Sequence, residues 1–411
     1  MSNAFQVLLV TSSLSWVVII WILNRLRRRA RFLAKRIIDD GLLLQSAGPL
    51  LQMFPMECLD CQENLIISSA RHRSSSWIDS DRCIRLSPME NQVGGFGMKK
   101  SPMIRMQPHY ILKPMVTKEN RGFREVLFYE LMNISSIPKE EWKNKLIRML
   151  YRTHNLPLME RIGYSIFWMD PIVAKSKLVV QESWNTITCN LEFLRRLINF
   201  TASYYGMVEA TTITSDTLLT EARYIILHDI TSTFQHPCIL DLKIGTQSFE
   251  PNCSREKQEK EWNKYGIYQQ TFGIRIVGMR KYDPWHPDAD KSGYRYWDKP
   301  FGRSLTTRME LRDALRTYFL RHDDTKSLRM DVISHIESQV SELQTIFQTN
   351  SSLAFYSSSI LMVHEGALDW NHATVRMIDF CHVRRQHGGD KGYQFGLQTL
   401  LTLLRDLQTN P

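Results

Sequence analysis

The segment Pro237–Gly245 places an acid and a base at a spacing that suits phosphoryl transfer. It reads PCILDLKIG and predicts a short buried strand over Cys238–Lys243. Because side chains alternate faces along a strand, Asp241 and Lys243 should lie on one face, and Gly245 permits a tight turn or the close approach of a ligand. Such a pair can serve a phosphate group and its acceptor together. By itself, the pattern also fits a surface ion pair on an edge strand.

A second acid follows an apolar strand near the end of the sequence. Residues Thr374–Phe380 predict a strand, and Asp379 stands close to its end. An Asp-Phe pair after a strand holds magnesium in protein kinases. An Asp in this position is also a common turn former, so the segment alone leaves both interpretations open.

A lysine stripe is predicted within the segment Cys253–Lys264, which reads CSREKQEKEWNK. At 100° per residue, Lys257, Lys260 and Lys264 fall within about 60° of one another on a helix. Three ammonium groups on one stripe can receive a polyanion. The alternative is a solvated helix in which Glu256 pairs with Lys260.

The elements predicted around these segments describe an α+β protein. Strands come early in the sequence and helices cluster late, which predicts a two-lobed fold with a cleft. Apolar stripes at helical spacing in residues 311–319 and 332–347 are predicted to be core rather than a cofactor site. The predicted strands are residues 109–115, 224–228, 238–243, 274–280, 359–363 and 374–380, and the predicted earlier helices are residues 119–133, 140–151 and 184–200.

Composition and charge narrow the class of protein. The chain has 411 residues, 43% hydrophobic and 23% charged, which fits a globular two-lobed domain with extensions. The formal charge is +10, but seven positive charges lie within residues 25–36, so no domain-wide basic face is indicated and nucleic acid is not expected as a partner. Seven scattered cysteines suit reduced thiols in the cytosol or nucleus, and the isolated Cys58-x-x-Cys61 pair is a weak zinc candidate.

The N-terminal segment Phe5–Leu23 carries no charge over 19 residues, about the length that spans a bilayer core. Positive charges follow this segment, which would keep the rest of the chain in the cytosol and near anionic headgroups. Residues 1–38 are therefore predicted to be a membrane anchor with a basic juxtamembrane part. The alternative is a helix packed on the domain.

Taken together, the motifs resemble the inositol polyphosphate kinase family. The Pro-x-x-x-Asp-x-Lys-x-Gly motif at 237–245, the serine run at 357–361 and Ile378-Asp-Phe have that family's order and separations. The similarity covers about residues 90–411, apart from a predicted insertion at about 170–220, and is greatest to the inositol polyphosphate multikinase branch. Further matching segments are QVGG at 92–95, ILKP at 111–114, RGFREVLFY at 121–129 and GYQFGL at 392–397.

The resemblance implies a nucleotide site for ATP. It assigns the ATP phosphates to Lys113 and the orientation of that lysine to Glu125. It makes residues 228–230 the interlobe hinge whose backbone contacts adenine, and Ser358 and Ser359 part of the nucleotide lining. The hinge residues are His228, Asp229 and Ile230, of which His228 departs from the acidic residue often found there.

The resemblance also implies the residues of the transfer step and of the acceptor site. Asp241 lies beside nucleotide and inositide, Lys243 steadies the transferring phosphoryl group and Asp379 binds Mg²⁺. Lys260 and Glu261 replace glutamines typical of the family, and the hypothesis is that a more basic pocket favours more phosphorylated inositols. The substrate-side positions implied are Lys257, Lys260, Lys264, Arg280, Lys299 and His382.

The resulting expectation is a two-lobed, protein-kinase-like and ATP-grasp-like kinase of inositol tris- and tetrakisphosphates, with phosphatidylinositol bisphosphate as a second acceptor if the anchor exists. Alternatives are an inositol hexakisphosphate kinase, an inositol trisphosphate kinase and an inactive inositide-binding scaffold. A monomer in the cytoplasm or nucleus, with its kinase domain facing the cytosol if anchored, is expected. The predicted divisions are an anchor at 1–38, a linker at 39–87, an N-lobe at 88–235 and a C-lobe at 236–411.

Overall fold

Two antiparallel sheets carry most of the described strands. The mixed helix and sheet composition predicted from the sequence is confirmed. The predicted anchor, the pair Cys58 and Cys61, and the QVGG segment lie outside the described residues. The computed structural model describes residues 55–57, 64–68, 86–89, 103–106, 109–116, 121–142, 144–146, 188–213, 219–251, 253–324, 327–367 and 371–411.

The first sheet has seven strands in the order β1-β2-β6-β7-β5-β4-β3. Helix α1 (Arg121–Ser136) buries Val126, Leu127 and Phe128 in the core beside this sheet. A further helix, α2, covers residues 188–197. The strands are β1 (Pro55–Glu57), β2 (Asn64–Ser68), β3 (Leu86–Pro88), β4 (Ile104–Met106), β5 (Tyr110–Pro114), β6 (Tyr204–Ile213) and β7 (Leu219–His228).

The structure differs from the sequence expectation in two parts of this sheet. Strands β1 and β2 fall within the range 39–87, predicted as a linker, and β2 pairs with β6. Strand β6 falls within the predicted insertion at 170–220, yet it lies between β2 and β7. Strand pairing is a long-range property, and β2 and β6 lack the regular alternation of polar and apolar residues that would have revealed it.

The second sheet has five strands in the order β10-β9-β8-β12-β13. Strands β8, β9, β12 and β13 match the predicted ones closely, although β13 ends at Ile378, whereas β10 was not predicted. A separate two-stranded sheet pairs β11 with β14. The strands are β8 (Pro237–Ile244), β9 (Ile274–Tyr282), β10 (Tyr294–Trp297), β11 (Leu353–Phe355), β12 (Ser359–Glu365), β13 (Ala373–Ile378) and β14 (Val383–Arg385).

The predicted apolar stripes form the core around this second sheet. Leu311, Leu315 and Tyr318 of one helix and Val332 and Ile336 of the next are buried, as predicted for residues that pack rather than bind a cofactor. The helices are α3 (Arg255–Phe272), α4 (Lys299–Ser304), α5 (Arg308–Phe319), α6 (Met330–Gln348) and α7 (Lys391–Thr409). Among the described residues, no helix combines the length and the apolar composition needed to cross a bilayer.

A buried histidine in β12 should make stability depend on pH. His364 is fully enclosed, and burial lowers its pKa to about 4 from an ordinary value of 6.5. The neutral form is therefore favoured by folding, and this contribution is present above pH 6.5 and is lost as the pH falls towards 4. We expect the free energy of unfolding to lose about 2 kcal/mol from this group between pH 7 and pH 5.

Urea unfolding of the wild type and of His364→Gln at both pH values measures this effect. The variant should lose about 2 kcal/mol less between the two pH values than the wild type does. His387→Gln is the control, because it is the same chemical change at an exposed position. An equal loss of stability in the wild type and in His364→Gln would refute the assignment.

Candidate active site

Two lysines and two carboxylates from different elements meet in one cluster. Lys113 Nζ of β5 lies 2.6 Å from Glu125 Oε1 of α1 and 2.7 Å from Asp379 Oδ1. Lys243 Nζ of β8 lies 3.1 Å from Asp379 Oδ2. The fold therefore brings together four residues that the sequence predicted as site residues, and Asp379 connects elements of both sheets.

The backbone at Asp379 has an uncommon conformation. Its φ angle is 67°, in the left-handed region that non-glycine residues rarely adopt, and Ser357 has a φ of 56°. The Ser357 carbonyl oxygen accepts a hydrogen bond from Lys243 Nζ, so both strained residues contact the same ammonium group. Strained backbone of this kind concentrates at functional sites, where surrounding contacts hold it in place.

The opposite charges of the cluster stabilise each other's ionised forms. Burial alone would raise the pKa of Asp379, but the ammonium groups of Lys113 and Lys243 outweigh it and hold that pKa well below its usual range. Burial would likewise lower the pKa of Lys113, but Asp379 and Glu125 raise it well above its usual value. At neutral pH the site therefore presents an ionised carboxylate between two ammonium groups.

Asp379 is the carboxylate of this cluster that can reach a ligand. Its side chain is 35% exposed, whereas that of Glu125 is 2% exposed. Within the described ranges, no group of three or more His, Cys, Asp or Glu residues is placed to hold a metal ion. The donor set fits Mg²⁺ held by one carboxylate together with oxygens of a bound phosphate, which is the usual way that nucleotide-dependent enzymes bind this ion.

Glu125 holds Lys113 and the segment after Asp379 in a fixed relation. Its Oε1 also accepts the Phe380 backbone N–H at 3.2 Å, and its Oε2 accepts the Cys381 thiol at 3.1 Å. The ring of Phe380 stacks on Phe128 of α1 with centroids 4.0 Å apart. These contacts explain how α1 sets the position of Lys113 relative to Asp379.

Asp241 is buried in β8, where the sequence placed it near Lys243. Its neighbours on the adjoining strands are Leu361 in β12 and Gly278 in β9. Burial raises the pKa of Asp241, against the opposing attraction of Lys243. In the part of the chain that the structure describes, Asp241 Oδ1 has no hydrogen-bond partner, so this buried oxygen is able to accept one from a ligand.

The predicted hinge and serine residues lie at the ends of strands. Ser359 begins β12 opposite Lys243, and the buried Ser358 donates its hydroxyl to Phe355 O at 3.0 Å. The N–H of His228 donates to Ser203 O at 2.9 Å, and that of Asp229 donates to His109 O at 2.7 Å.

Those two hinge N–H groups are therefore already engaged. An adenine bound at the hinge would use carbonyl oxygens or the Ile230 backbone. The Asp229 side chain is committed as well, since it accepts from Arg105 Nε at 3.0 Å and from the Thr231 N–H at 2.9 Å. Fewer backbone groups of the hinge are therefore available to adenine than the sequence analysis predicted.

The predicted substrate-side residues are spread over several elements. Lys260 and Lys264 are exposed on α3, and Lys257 is half-buried near its start. The ion pair on the exposed face of α3 joins Arg255 Nε to Glu259 at 3.2 Å, rather than the predicted alternative of Glu256 with Lys260.

The other three predicted substrate-side residues have structural partners. Lys299 begins α4. Arg280 is buried in β9 with its guanidinium 3.5 Å from the centroid of the Tyr294 ring. His382 Nδ1 contacts the carboxylate of Glu250, which also accepts from Arg124 Nη1 at 3.2 Å and Arg384 Nε at 2.8 Å. Glu250, which the sequence analysis did not single out, thus contacts three basic side chains.

Arg275 is a basic residue beside the site that the sequence analysis missed. It lies in β9 directly opposite Lys243, and its guanidinium packs 3.9 Å from the centroid of the Tyr265 ring. Burial lowers its pKa, and its Nε has no partner among the described residues. The available signal was an arginine at the second position of a buried strand, where a buried cation needs an anionic partner.

Known proteins resemble part of this chain. Residues 224–405 match the family model for inositol polyphosphate kinase. Inositol hexakisphosphate kinase 3 of Mus musculus is 33% identical over 45% of this chain and 51% of its own length. Inositol polyphosphate multikinase of Homo sapiens is 31% identical over 42% of this chain and 38% of its own length.

A solved structure covers a similar share. The inositol phosphate multikinase Ipk2 of S. cerevisiae, in complex with ADP and Mn²⁺, aligns with a TM-score of 0.44 and 20% identity over 51% of this chain and 90% of that one. The chain spans about half the length, or less, of the curated relatives it matches.

Proposed function

We propose, from the match of residues 224–405 to the inositol polyphosphate kinase family, that the protein transfers the γ-phosphate of ATP to a hydroxyl group of an inositol polyphosphate. The observation that carries the proposal is the cluster in which Asp379 lies between Lys113 and Lys243. Phosphoryl transfer needs cations on the phosphates and a carboxylate for Mg²⁺, and this cluster supplies both.

The reaction is a direct in-line transfer. The acceptor hydroxyl oxygen bonds to the γ-phosphorus while the bond from that phosphorus to the ADP oxygen breaks. Lys113 and Lys243 neutralise the charge on the phosphate oxygens, and Asp379 would hold Mg²⁺, which offsets further negative charge when bound. Asp241 accepts the hydroxyl proton, because burial raises its pKa and its Oδ1 has no partner among the described residues.

The fold supports a nucleotide position between the two sheets. In this proposal the N-lobe contains the seven-stranded sheet, the C-lobe contains the five-stranded sheet, and the division lies near residue 235. Adenine lies against the backbone of residues 228–230, as in the protein-kinase-like and ATP-grasp-like arrangement. The protein acts as a monomer of the cytoplasm or nucleus.

The acceptors proposed are inositol tris- and tetrakisphosphates. Arg275 and Lys243 lie opposite each other on adjacent strands of the second sheet. The exposed Lys260 and Lys264 extend the basic surface along α3. Inositol hexakisphosphate is a second candidate acceptor, since the matched relatives include inositol hexakisphosphate kinase 3. Phosphatidylinositol bisphosphate is a further candidate if the N-terminal segment binds a membrane.

Turnover of ATP by the full chain against a panel of acceptors tests the proposal. The panel contains inositol tris-, tetrakis-, pentakis- and hexakisphosphate and vesicles with phosphatidylinositol bisphosphate. Turnover of tris- and tetrakisphosphates is expected. Nucleotide binding without turnover of any acceptor would instead favour an inactive inositide-binding scaffold. Turnover of hexakisphosphate alone would favour an inositol hexakisphosphate kinase, and turnover of trisphosphate alone would favour an inositol trisphosphate kinase.

Arg275→Met should weaken binding of the acceptor more than it slows the reaction. The substitution removes a buried guanidinium beside Lys243 but keeps an unbranched side chain that can pack on Tyr265. We expect KM for the inositol phosphate to rise about tenfold to a hundredfold, with a smaller change in kcat. Arg385→Met is the control, because Arg385 is exposed at the end of β14. An unchanged KM in Arg275→Met would exclude this residue from the acceptor site.

A further inference from the structure

A cavity of about 460 Å³ opens beside the turn that follows β7. Its walls come from residues 201–203, the turn at 228–234, α6 and β13. None of the three charged residues Lys113, Lys243 and Asp379 is among its lining residues. The volume lies within the range of small-molecule sites, so this cavity is a candidate binding site separate from the phosphate cluster.

The charge of the cavity favours an anion. Arg376 of β13 is half-buried in its wall, and the lining contains no Asp or Glu. The Arg376 Nη1 donates to the Val375 carbonyl oxygen at 2.9 Å, and among the described residues no carboxylate pairs with it. Burial lowers the pKa of Arg376, as expected for a guanidinium that lacks an anionic partner.

The remaining polar groups suit a phosphate and not a larger polyanion. Three histidines, His228, His335 and His372, line the cavity with Arg376. Burial lowers the pKa of His228 and His372, so these two rings are mostly neutral at pH 7 and can donate or accept hydrogen bonds. One permanent positive charge with neutral donors around it matches one phosphate group.

One side of the cavity offers a flat surface. The rings of Phe234 and His372 lie with centroids 4.4 Å apart and planes inclined by 30°. His372 Nε2 lies 3.3 Å from Thr233 Oγ1, which fixes the orientation of the histidine ring. An aromatic or heterocyclic ring can pack against such a surface while its phosphate faces the arginine.

We propose that this cavity binds a small organic molecule that carries one phosphate group on a flat ring. Arg376 makes the charged contact with the phosphate, and the pair Phe234 and His372 contacts the ring. The cavity shares His228 and Ile230 with the proposed adenine hinge but contains none of the phosphate-cluster residues. In this proposal the ligand and ADP therefore lie on opposite sides of the hinge and can be bound together. The proposal does not depend on the phosphotransfer activity proposed above.

Calorimetric titration of the full chain with phenyl phosphate tests the site. Wild-type protein should bind phenyl phosphate with saturation below ~10 mM, bind inorganic phosphate more weakly, and not bind benzyl alcohol. Binding should persist in saturating ADP and Mg²⁺. Absence of saturable binding, or its loss when ADP is bound, would overturn the proposal; the second result would identify the cavity as part of the nucleotide site.

Two substitutions locate the binding. Arg376→Gln removes the charge, and His335→Glu places a carboxylate at an exposed position of α6 on the cavity wall, where folding should tolerate it. Each should weaken phenyl phosphate binding at least about tenfold. The matched controls are Arg385→Gln and His387→Glu, at exposed positions outside the lining, and they should stay within about twofold of the wild type. Unchanged affinity in both cavity variants would also overturn the proposal.

ADP binding and ATP turnover are measured on the same samples. A protein that binds neither ADP nor an inositol phosphate would contradict the proposed kinase function. The phenyl phosphate titration without ADP would still report on the cavity, so the two failures are distinguishable.

Discussion

Replacing Asp379 by Asn is expected to lower the turnover of inositol phosphates by about a hundredfold to a thousandfold. The amide has the shape of the carboxylate but no charge. It would bind Mg²⁺ poorly and would no longer oppose the ammonium groups of Lys113 and Lys243, which lie 2.7 Å and 3.1 Å from the two carboxylate oxygens. The charge on the transferring phosphate would then be less well balanced in the transition state.

The measurement is kcat at saturating ATP across a series of Mg²⁺ concentrations. If Asp379 is the metal ligand, the variant should need more Mg²⁺ for half-maximal rate as well as being slower. Asp406→Asn is the matched control, since it is the same chemical change and removes an ion pair with Arg308, at 2.8 Å, on the exposed face of α7. A variant at position 379 that keeps wild-type kcat and Mg²⁺ dependence would remove Asp379 from the proposed mechanism.

Replacing Glu365 by Gln is expected to lower the free energy of unfolding by about 2 to 4 kcal/mol. The Glu365 carboxylate is 1% exposed and lies at the end of β12. It accepts the backbone N–H groups of Gln235 at 2.7 Å, His236 at 2.8 Å and Ala367 at 3.0 Å. An amide in its place would present its own N–H₂ group to at least one of these donors and leave that buried donor without an acceptor.

The hydrogen bonds of Glu365 also hold the start of β8 in place. Gln235 and His236 lead from the turn after β7 into β8, the strand that carries Asp241 and Lys243. Urea unfolding monitors the stability, and Glu342→Gln is the control because Glu342 is exposed on α6. If Glu365→Gln unfolds within about 0.5 kcal/mol of the wild type, these three hydrogen bonds are not a major source of stability.

The local parts of the fold were predictable because they depend on short-range periodicity. The apolar stripes of α5 and α6 are visible at helical spacing and are buried. The strands that became β8, β9, β12 and β13 are short and mostly apolar segments, which is typical of strands covered on both faces. Strand β2 was missed because its apolar run is only three residues long, and β6 because polar residues interrupt it; the two strands pair although they lie far apart along the chain.

The candidate site likewise combines features that the local sequence predicts with contacts that depend on the whole fold. The sequence by itself determined which residue types were available, and alternation along β8 predicted that Asp241 and Lys243 lie close together. The motifs, and their resemblance to a kinase family, added Lys113, Glu125 and Asp379 as candidates. Each of these inferences rests on residues within a few positions of one another or on the order of motifs along the sequence.

Only the tertiary structure decided which charges meet. Lys113 and Asp379 are 266 positions apart, and no local pattern fixes a contact over that distance. The register between β8 and β9 placed Arg275 beside Lys243, and the fold gathered Arg124, His382 and Arg384 around Glu250. A buried charge must find its partner wherever the chain brings one, so the ion pairs, unlike the strands and helices, follow from the packing of the whole domain.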